Sequence, residues 1–357
     1  MNHNLIKRIF LIIPVLFALA ASVAEADIPD AERQVLIAIY NGTNGGTWTT
    51  STNWNGAAGT ECTWFGVTCD GAQTTVTGID LNTNNLTGSL PATLNNLTGL
   101  VTFYVNDNQL TGPIPSLAGL NNLADFYAYS NQLTGPIPSL AGLTNLANFG
   151  VYGNQLTGTI PSLTGLTNLA SFYAYNNQLS GPIPSLAGLT NLADFSVSNN
   201  QLTGSIPSLA GLTNLAYFYA YNNQLSGPIP SLAGLTNLAR FWVNNNQLTG
   251  PIPSLAGLDN LAYFRVNNNQ LSGNVPAVPA PTNALVNGGS RLCPNYLNQT
   301  ADAAWDTATG ATPWYGLCTA APIPVAAAPI PTLSQWGMIV LSILLVGAAV
   351  FGLRRQR

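Results

Sequence analysis

The chain is 357 residues long, with 6% charged residues and 46% apolar ones. That apolar content excludes a disordered polymer solvated by its own charge. Between residues 27 and 329 four arginines (Arg33, Arg240, Arg265 and Arg291) stand against twelve carboxylates, so the body cannot neutralise rows of phosphates and no nucleic-acid partner is expected.

Residues 1–26 have the three parts of a signal peptide. Lys7 and Arg8 precede the apolar run Ile9–Ala21, and the small-residue site Ala24-Glu25-Ala26 follows it. Cleavage is expected after Ala26, which removes the one histidine, His3, and the one lysine, Lys7. An uncleaved anchor is the alternative, although the run is short for a span. Residues 27–75 then carry an amphipathic segment, Ala31–Tyr40, followed by Trp54 and a stretch from Cys62 to Cys69 that holds Trp64 and Phe65.

Residues 76–276 repeat. The string Leu-Thr/Ser-Gly-x-φ-Pro begins at Leu86, Leu110, Leu133, Leu156, Leu179, Leu202, Leu225 and Leu248, with a degenerate ninth copy at Leu271. The first step is 24 residues and the remaining seven are 23. One unit runs through Leu146, Phe149, Val151, Asn154, Leu156, Gly158, Ile160 and Pro161. Its Leu-x-x-Phe-x-Val portion alternates at period 2 and predicts a short strand with Phe149 and Val151 pointing inward. The asparagine recurs at Asn84, Asn108, Asn131, Asn154, Asn177, Asn200, Asn223, Asn246 and Asn269. An amide both donates and accepts, so stacked units predict an asparagine ladder where the chain leaves each strand. Proline disfavours helical geometry in the residue before it, so the Gly-x-Ile-Pro side is predicted to be extended or 3₁₀.

This unit resembles the plant-type leucine-rich repeat. The resemblance implies a solenoid of about nine 23-residue repeats, with strands on its concave face and an extended or 3₁₀ convex face. Repeats cannot cover their own apolar ends, so caps are expected. Residues 27–75 look like the plant-type N-terminal cap with its short disulfide, and residues 277–318, around Trp305 and Trp314, form a cap at the other end. Four cysteines allow three pairings. Opposite ends of a solenoid cannot meet, so Cys62–Cys69 and Cys293–Cys318 are the expected bonds, which an exported compartment permits. A CxxC metal or redox site is the rival reading; the six-residue gap and the lack of a nearby histidine count against it, and no metal is expected.

Residues 319–329 are rich in Ala and Pro and read as a stiff linker. From Leu333 to Leu353 no residue is charged, a stretch long enough to cross a bilayer. Residues 330–357, with Ile330-Pro331-Thr332-Leu333, Trp336-Gly337 and the arginines Arg354, Arg355 and Arg357, resemble the IPTL-type C-terminal sorting signal of Gram-negative bacteria. Gln335 departs from that pattern. The resemblance implies a membrane helix that holds the exported protein at the inner membrane until an exosortase-type enzyme processes it. A plain tail anchor is the alternative.

With His3 and Lys7 removed, no Ser-His, Cys-His or lysine nucleophile can assemble. No phosphate-cradling glycine loop is present, and no cofactor is expected. Carboxylates remain: Asp80, Asp107, Asp125 and Asp194 are placed on the exposed strand face, with Asp80 and Asp107 on adjacent rungs as a remote glycosidase pair. The chain is read as not an enzyme. The strand face is more informative. Its middle column carries Tyr104, Tyr127, Tyr173, Tyr219 and Trp242, the next column Tyr129, Tyr152, Tyr175 and Tyr221, and the first column Tyr217 and Tyr263. Tyrosine offers contact area, a hydroxyl and little entropy loss, so these columns are the expected binding site for protein or polysaccharide, with a slight preference for polysaccharide. A structural surface role without a single ligand is the alternative. In this register Leu169 and Phe172 are buried, and Tyr217 and Arg240 are exposed.

Overall fold

Each copy of Leu-x-x-Phe-x-Val lays down one three-residue strand. The computed structural model describes residues 27–279 and 285–318. Strands Thr102–Tyr104, Asp125–Tyr127, Asn148–Gly150, Ser171–Tyr173, Asp194–Ser196, Tyr217–Tyr219, Arg240–Trp242 and Tyr263–Arg265 lie parallel and follow Val76–Asp80. Val67–Cys69 pairs antiparallel with Val76–Asp80 and completes a ten-stranded sheet. The fold is a leucine-rich-repeat solenoid with disulfide-linked caps. The chain returns along an outer side that is extended, with short parallel pairs such as Thr134–Pro136 against Gln155–Thr157. Leu94–Asn96 is the one 3₁₀ turn among the described repeat residues.

The strand register puts phenylalanine inward on eight successive turns. Phe103 through Phe264 form one stack with ring centroids 5.4–5.8 Å apart and planes within 14–16° of parallel. Phe172 and Leu169 are fully buried, as the register requires. The leucines and Ile160-type residues of the outer side fill the rest of the core. Gly158 takes φ 76°, a left-handed turn that a side chain would strain, and its counterparts do the same in the other repeats.

The asparagine ladder forms as the repeat predicts. Asn154 Nδ2 donates to the carbonyls of Ala128 (3.0 Å), Val151 (3.1 Å) and Tyr152 (3.3 Å), while its Oδ1 accepts from the Leu133 N–H at 3.0 Å. Each amide thus ties its own turn to the one before it. Asn84, the first, instead binds the cap: its Oδ1 accepts from Thr50 N–H and its Nδ2 donates to Thr50 O. The ladder also continues past the ninth repeat. Asn295 Oδ1 accepts from Leu271 N–H at 2.9 Å and its Nδ2 donates to Val266 O at 2.8 Å, so the C-terminal cap begins as one more rung.

Helix α1 (Asp30–Gly42) covers the N-terminal end. Its buried Glu32 accepts from Thr75 Oγ1 and from Val76 N–H, both at 2.7 Å, which satisfies the first strand where no repeat precedes it. Arg33 pairs with the buried Glu61 and lies over the Trp64 ring. Cys62 is bonded to Cys69, and Tyr40, Trp48, Trp54 and Trp64 pack together beside them. At the other end Cys293 is bonded to Cys318. Helix α2 (Ala303–Thr309) is capped by Asp302, whose carboxylate accepts from the N–H groups of Ala304 and Trp305. The helix delivers Trp305, fully buried, onto the last ring of the stack, 6.4 Å from Phe264.

Among the described residues no helix is long and apolar enough to cross a membrane. The signal peptide, its cleavage site after Ala26, the 319–329 linker and the 330–357 sorting signal lie outside the described residues.

Candidate ligand-binding face

The outward positions of the sheet stay in register from strand to strand, so each column of the repeat becomes a row of neighbours. Asp80 pairs with Tyr104, Tyr104 with Tyr127, Tyr127 with Gly150, and the column runs on through Tyr173, Ser196, Tyr219, Trp242 and Arg265. An isolated bridge from Arg265 adds Arg291 at its end.

The aromatic residues do not stand out from this face. All eleven are partly buried, because they tile one another. Tyr129, Tyr152 and Tyr175 form a face-to-face stack with both centroid spacings at 4.3 Å, so both faces of Tyr152 are covered. Tyr104 stacks on Tyr127 at 5.3 Å. Where a turn carries a small residue, its neighbour leans across. A Cβ on Gly150 would meet Tyr127 Cδ1 at 2.7 Å, and Ser198 is 1% exposed beneath its neighbours. The second aromatic cluster gathers around Trp242, with Tyr219 at 4.9 Å, Tyr221 at 6.1 Å and Tyr263 at 6.5 Å.

The expected exposure of Tyr217 and Arg240 is corrected here: both are partly buried. The Arg240 guanidinium lies between the Tyr217 ring (5.5 Å) and the Tyr263 ring (4.9 Å), an arrangement that covers all three. Arg265 lies 4.3 Å over Trp242 and donates from Nε to Gly289 O at 3.2 Å. These arginines escaped the sequence reading as site residues. A signal existed, since the four cations of the body are so few that two on one strand face are conspicuous.

A second correction concerns the carboxylates. Asp107 is not on the strand face. It sits in the following turn at φ 54° and accepts from Asn106 Nδ2, whereas the position next to Asp80 is Tyr104. The proposed acid pair therefore does not assemble. Asp125 does face outward, and accepts from Tyr104 Oη at 3.2 Å and from Asn148 Nδ2 at 2.7 Å.

Burial raises the pKa of six phenols of the face. Tyr104 is pushed up to about 12 by burial and then by the Asp125 charge. Tyr152 is held higher still by burial and its two stacked neighbours, and Tyr127, Tyr173, Tyr175 and Tyr219 move the same way, with burial the main cause. Burial also raises Asp194, against a hydrogen bond from Tyr173. The Arg265 value is lowered by burial and by the Arg291 charge. The face is a phenolic surface with Asp80 and Asp125 towards one end, Asp194 in the middle and the guanidinium groups at the other end. Among the described residues no group of three or more His, Cys, Asp or Glu is placed to hold a metal ion.

Two family models match the chain: the leucine rich repeat N-terminal domain over residues 29–70 and the IPTL-CTERM motif over residues 328–357. The receptor-like kinase TMK2 of Arabidopsis thaliana is 45% identical over 71 residues, which are 20% of this chain and 8% of that protein. Among solved structures, the chain is similar to the leucine-rich-repeat ectodomain of the plant membrane receptor kinase GASSHO1/SCHENGEN3 from Arabidopsis thaliana, solved with Casparian strip integrity factor 2. That likeness is 30% identical with a TM-score of 0.67, over 76% of this chain and 36% of that one. A plant ice-binding protein shares the fold at 23% identity and a TM-score of 0.60, over 79% of this chain and 94% of that protein. The chain thus spans less than a tenth of the curated relative and about a third of the receptor ectodomain.

Proposed function

We propose that this is an exported recognition protein of a bacterial cell surface, which binds an extended ligand along the tyrosine face and performs no catalysis. The observation that carries this reading is the face itself: eleven aromatic side chains in register on one side of one sheet. Repeat duplication accounts for their regularity. It does not account for tyrosine at outward positions, where the repeat makes no demand.

The GASSHO1/SCHENGEN3 ectodomain, whose structure was solved with a bound factor, lends support to a ligand role. The packing of the rings favours a polypeptide ligand over the polysaccharide preferred from sequence. A sugar ring docks on an open aromatic face, and the stack of Tyr129, Tyr152 and Tyr175 closes those faces on each other. What remains outward is ring edges and hydroxyls, which suit backbone carbonyls and side chains. The IPTL-CTERM match supports export, and on this reading an exosortase-type enzyme removes the C-terminal segment.

The test replaces Tyr127, Tyr173 and Tyr219 by serine and measures binding to host surface protein and, separately, to surface polysaccharide. Each aromatic contact contributes on the order of 1 kcal/mol, so the triple variant should bind ~100-fold more weakly at an unchanged melting temperature. Binding equal to the wild type would leave the structural surface role as the better account.

A further inference from the structure

The strand face has a symmetry that its repeat does not require. The central column has ten positions, from Asp80 to Arg291. Reversing it sets Asp80 opposite Arg291 and Tyr104 opposite Arg265 at the ends. Towards the middle it sets Gly150 opposite Tyr219 and Ser196 opposite Tyr173. In the adjacent column the same reversal sets Asp125 opposite Arg240. Asp80 and Asp125 therefore meet opposite charges and Tyr219 and Tyr173 meet the small residues Gly150 and Ser196, while Tyr127 meets Trp242.

We propose that this face takes a second copy of the chain, related by a two-fold axis parallel to the strands and lying between the strands of Tyr173 and Ser196. Rotation about that axis reverses the order of stacking and keeps the strand direction, so every column meets itself. The contact is then isologous, and each ion pair forms twice. The proposal rests on the reading of the tyrosine face as a binding surface and names one partner for it.

Three further observations support it. Among the described residues the one ion pair is Arg33–Glu61, and Asp80, Asp125, Arg240 and Arg291 have no ion-pair partner there. Asp80 and Arg291 are exposed, as partners across an interface must be. The inner pair is held ready: Asp125 by Tyr104 and Asn148, Arg240 by the rings of Tyr217 and Tyr263. Moving the axis by half a strand spacing either way, onto one of the two central strands, loses the Asp125–Arg240 match and sets Asp125 opposite Tyr217 or Tyr263. One register alone satisfies both columns.

The test is sedimentation equilibrium of the protein recovered from an exporting host, with no ligand added. The expected result is a concentration-dependent dimer that salt weakens. Asp125→Arg and Arg240→Asp each set like charges against each other at two places, and each should weaken dimerisation ~100-fold. Mixing the two variants restores opposite charges at both places, so the mixture should associate to within ~10-fold of the wild type. Asp80→Arg and Arg291→Asp, at exposed positions, repeat the design where folding is not at stake. A wild-type monomer at the highest soluble concentration, or single reversals as dimeric as the wild type, would overturn the proposal. A monomer that still loses its ligand when the tyrosines are replaced would overturn self-association alone and leave the recognition reading standing.

Discussion

Phe172→Ala is expected to destabilise the protein by ~3–5 kcal/mol, the range for removing a fully buried aromatic side chain. Phe172 has no exposed surface, and its ring stacks on Phe149 and Phe195 at 5.6 Å on either side. Alanine removes both contacts and leaves a void that neighbouring turns cannot close without breaking register. In a solenoid each turn is supported only by those next to it, so a weak turn in the middle lowers coupling between the two halves. Chemical denaturation followed by tyrosine fluorescence should show the loss, with a broader transition if the halves uncouple. A change below ~1 kcal/mol would mean that the phenylalanine stack is not the core of the array.

Asn246→Leu is expected to cost ~2–4 kcal/mol although the replacement is apolar and similar in size. Asn246 is 5% exposed. Its Nδ2 donates to Ala220 O at 2.9 Å and Val243 O at 3.1 Å, and its Oδ1 accepts from Leu225 N–H at 2.9 Å. Leucine leaves the Leu225 N–H without a partner, at ~1–3 kcal/mol for a buried group that water cannot reach, and takes one of two amide donors from Ala220 O and from Val243 O, which keep Asn223 and Asn269. Asn246→Asp separates the two halves of the amide's role. It keeps an acceptor for Leu225 N–H but turns a carboxylate oxygen towards two carbonyls, so it should cost at least as much as leucine at neutral pH. If both variants melt with the wild type, the ladder is an ornament of the repeat rather than part of its support.

The repeat made the fold legible because one solution satisfies it everywhere. Phe172, Leu169 and the nine asparagines occupy the places that period and alternation assign them. Asn295 was missed because it follows Asn269 by 26 residues rather than 23, although its Asn-Tyr-Leu context matches the Asn-x-Leu of the repeat. The site was legible as columns and not as a surface. Periodicity shows that Tyr152 points outward; it does not show that Tyr129 and Tyr175 cover both its faces, because ring orientation depends on residues 23 positions away in either direction. Arg240 shows the same limit. A charged residue at an outward position reads as solvated, yet the rings of Tyr217 and Tyr263 on adjacent turns enclose it. Asp107 erred in the other direction, because a left-handed turn begins one residue after Asn106 and takes it off the sheet.

The central claim, that recognition occurs on the tyrosine face, can be tested before any ligand is identified. Hydroxyl-radical footprinting compares side-chain oxidation of the free protein with that of the protein bound to host cell-surface material, at a concentration where the protein is monomeric. Tyr129, Tyr173, Tyr219 and Trp242 should lose reactivity on binding. Phe65 at 40% exposure and Tyr296 at 53%, both in the caps, should oxidise equally in the two states. Protection of Phe65 or Tyr296 with the tyrosine face unchanged would place the contact on a cap and contradict the account.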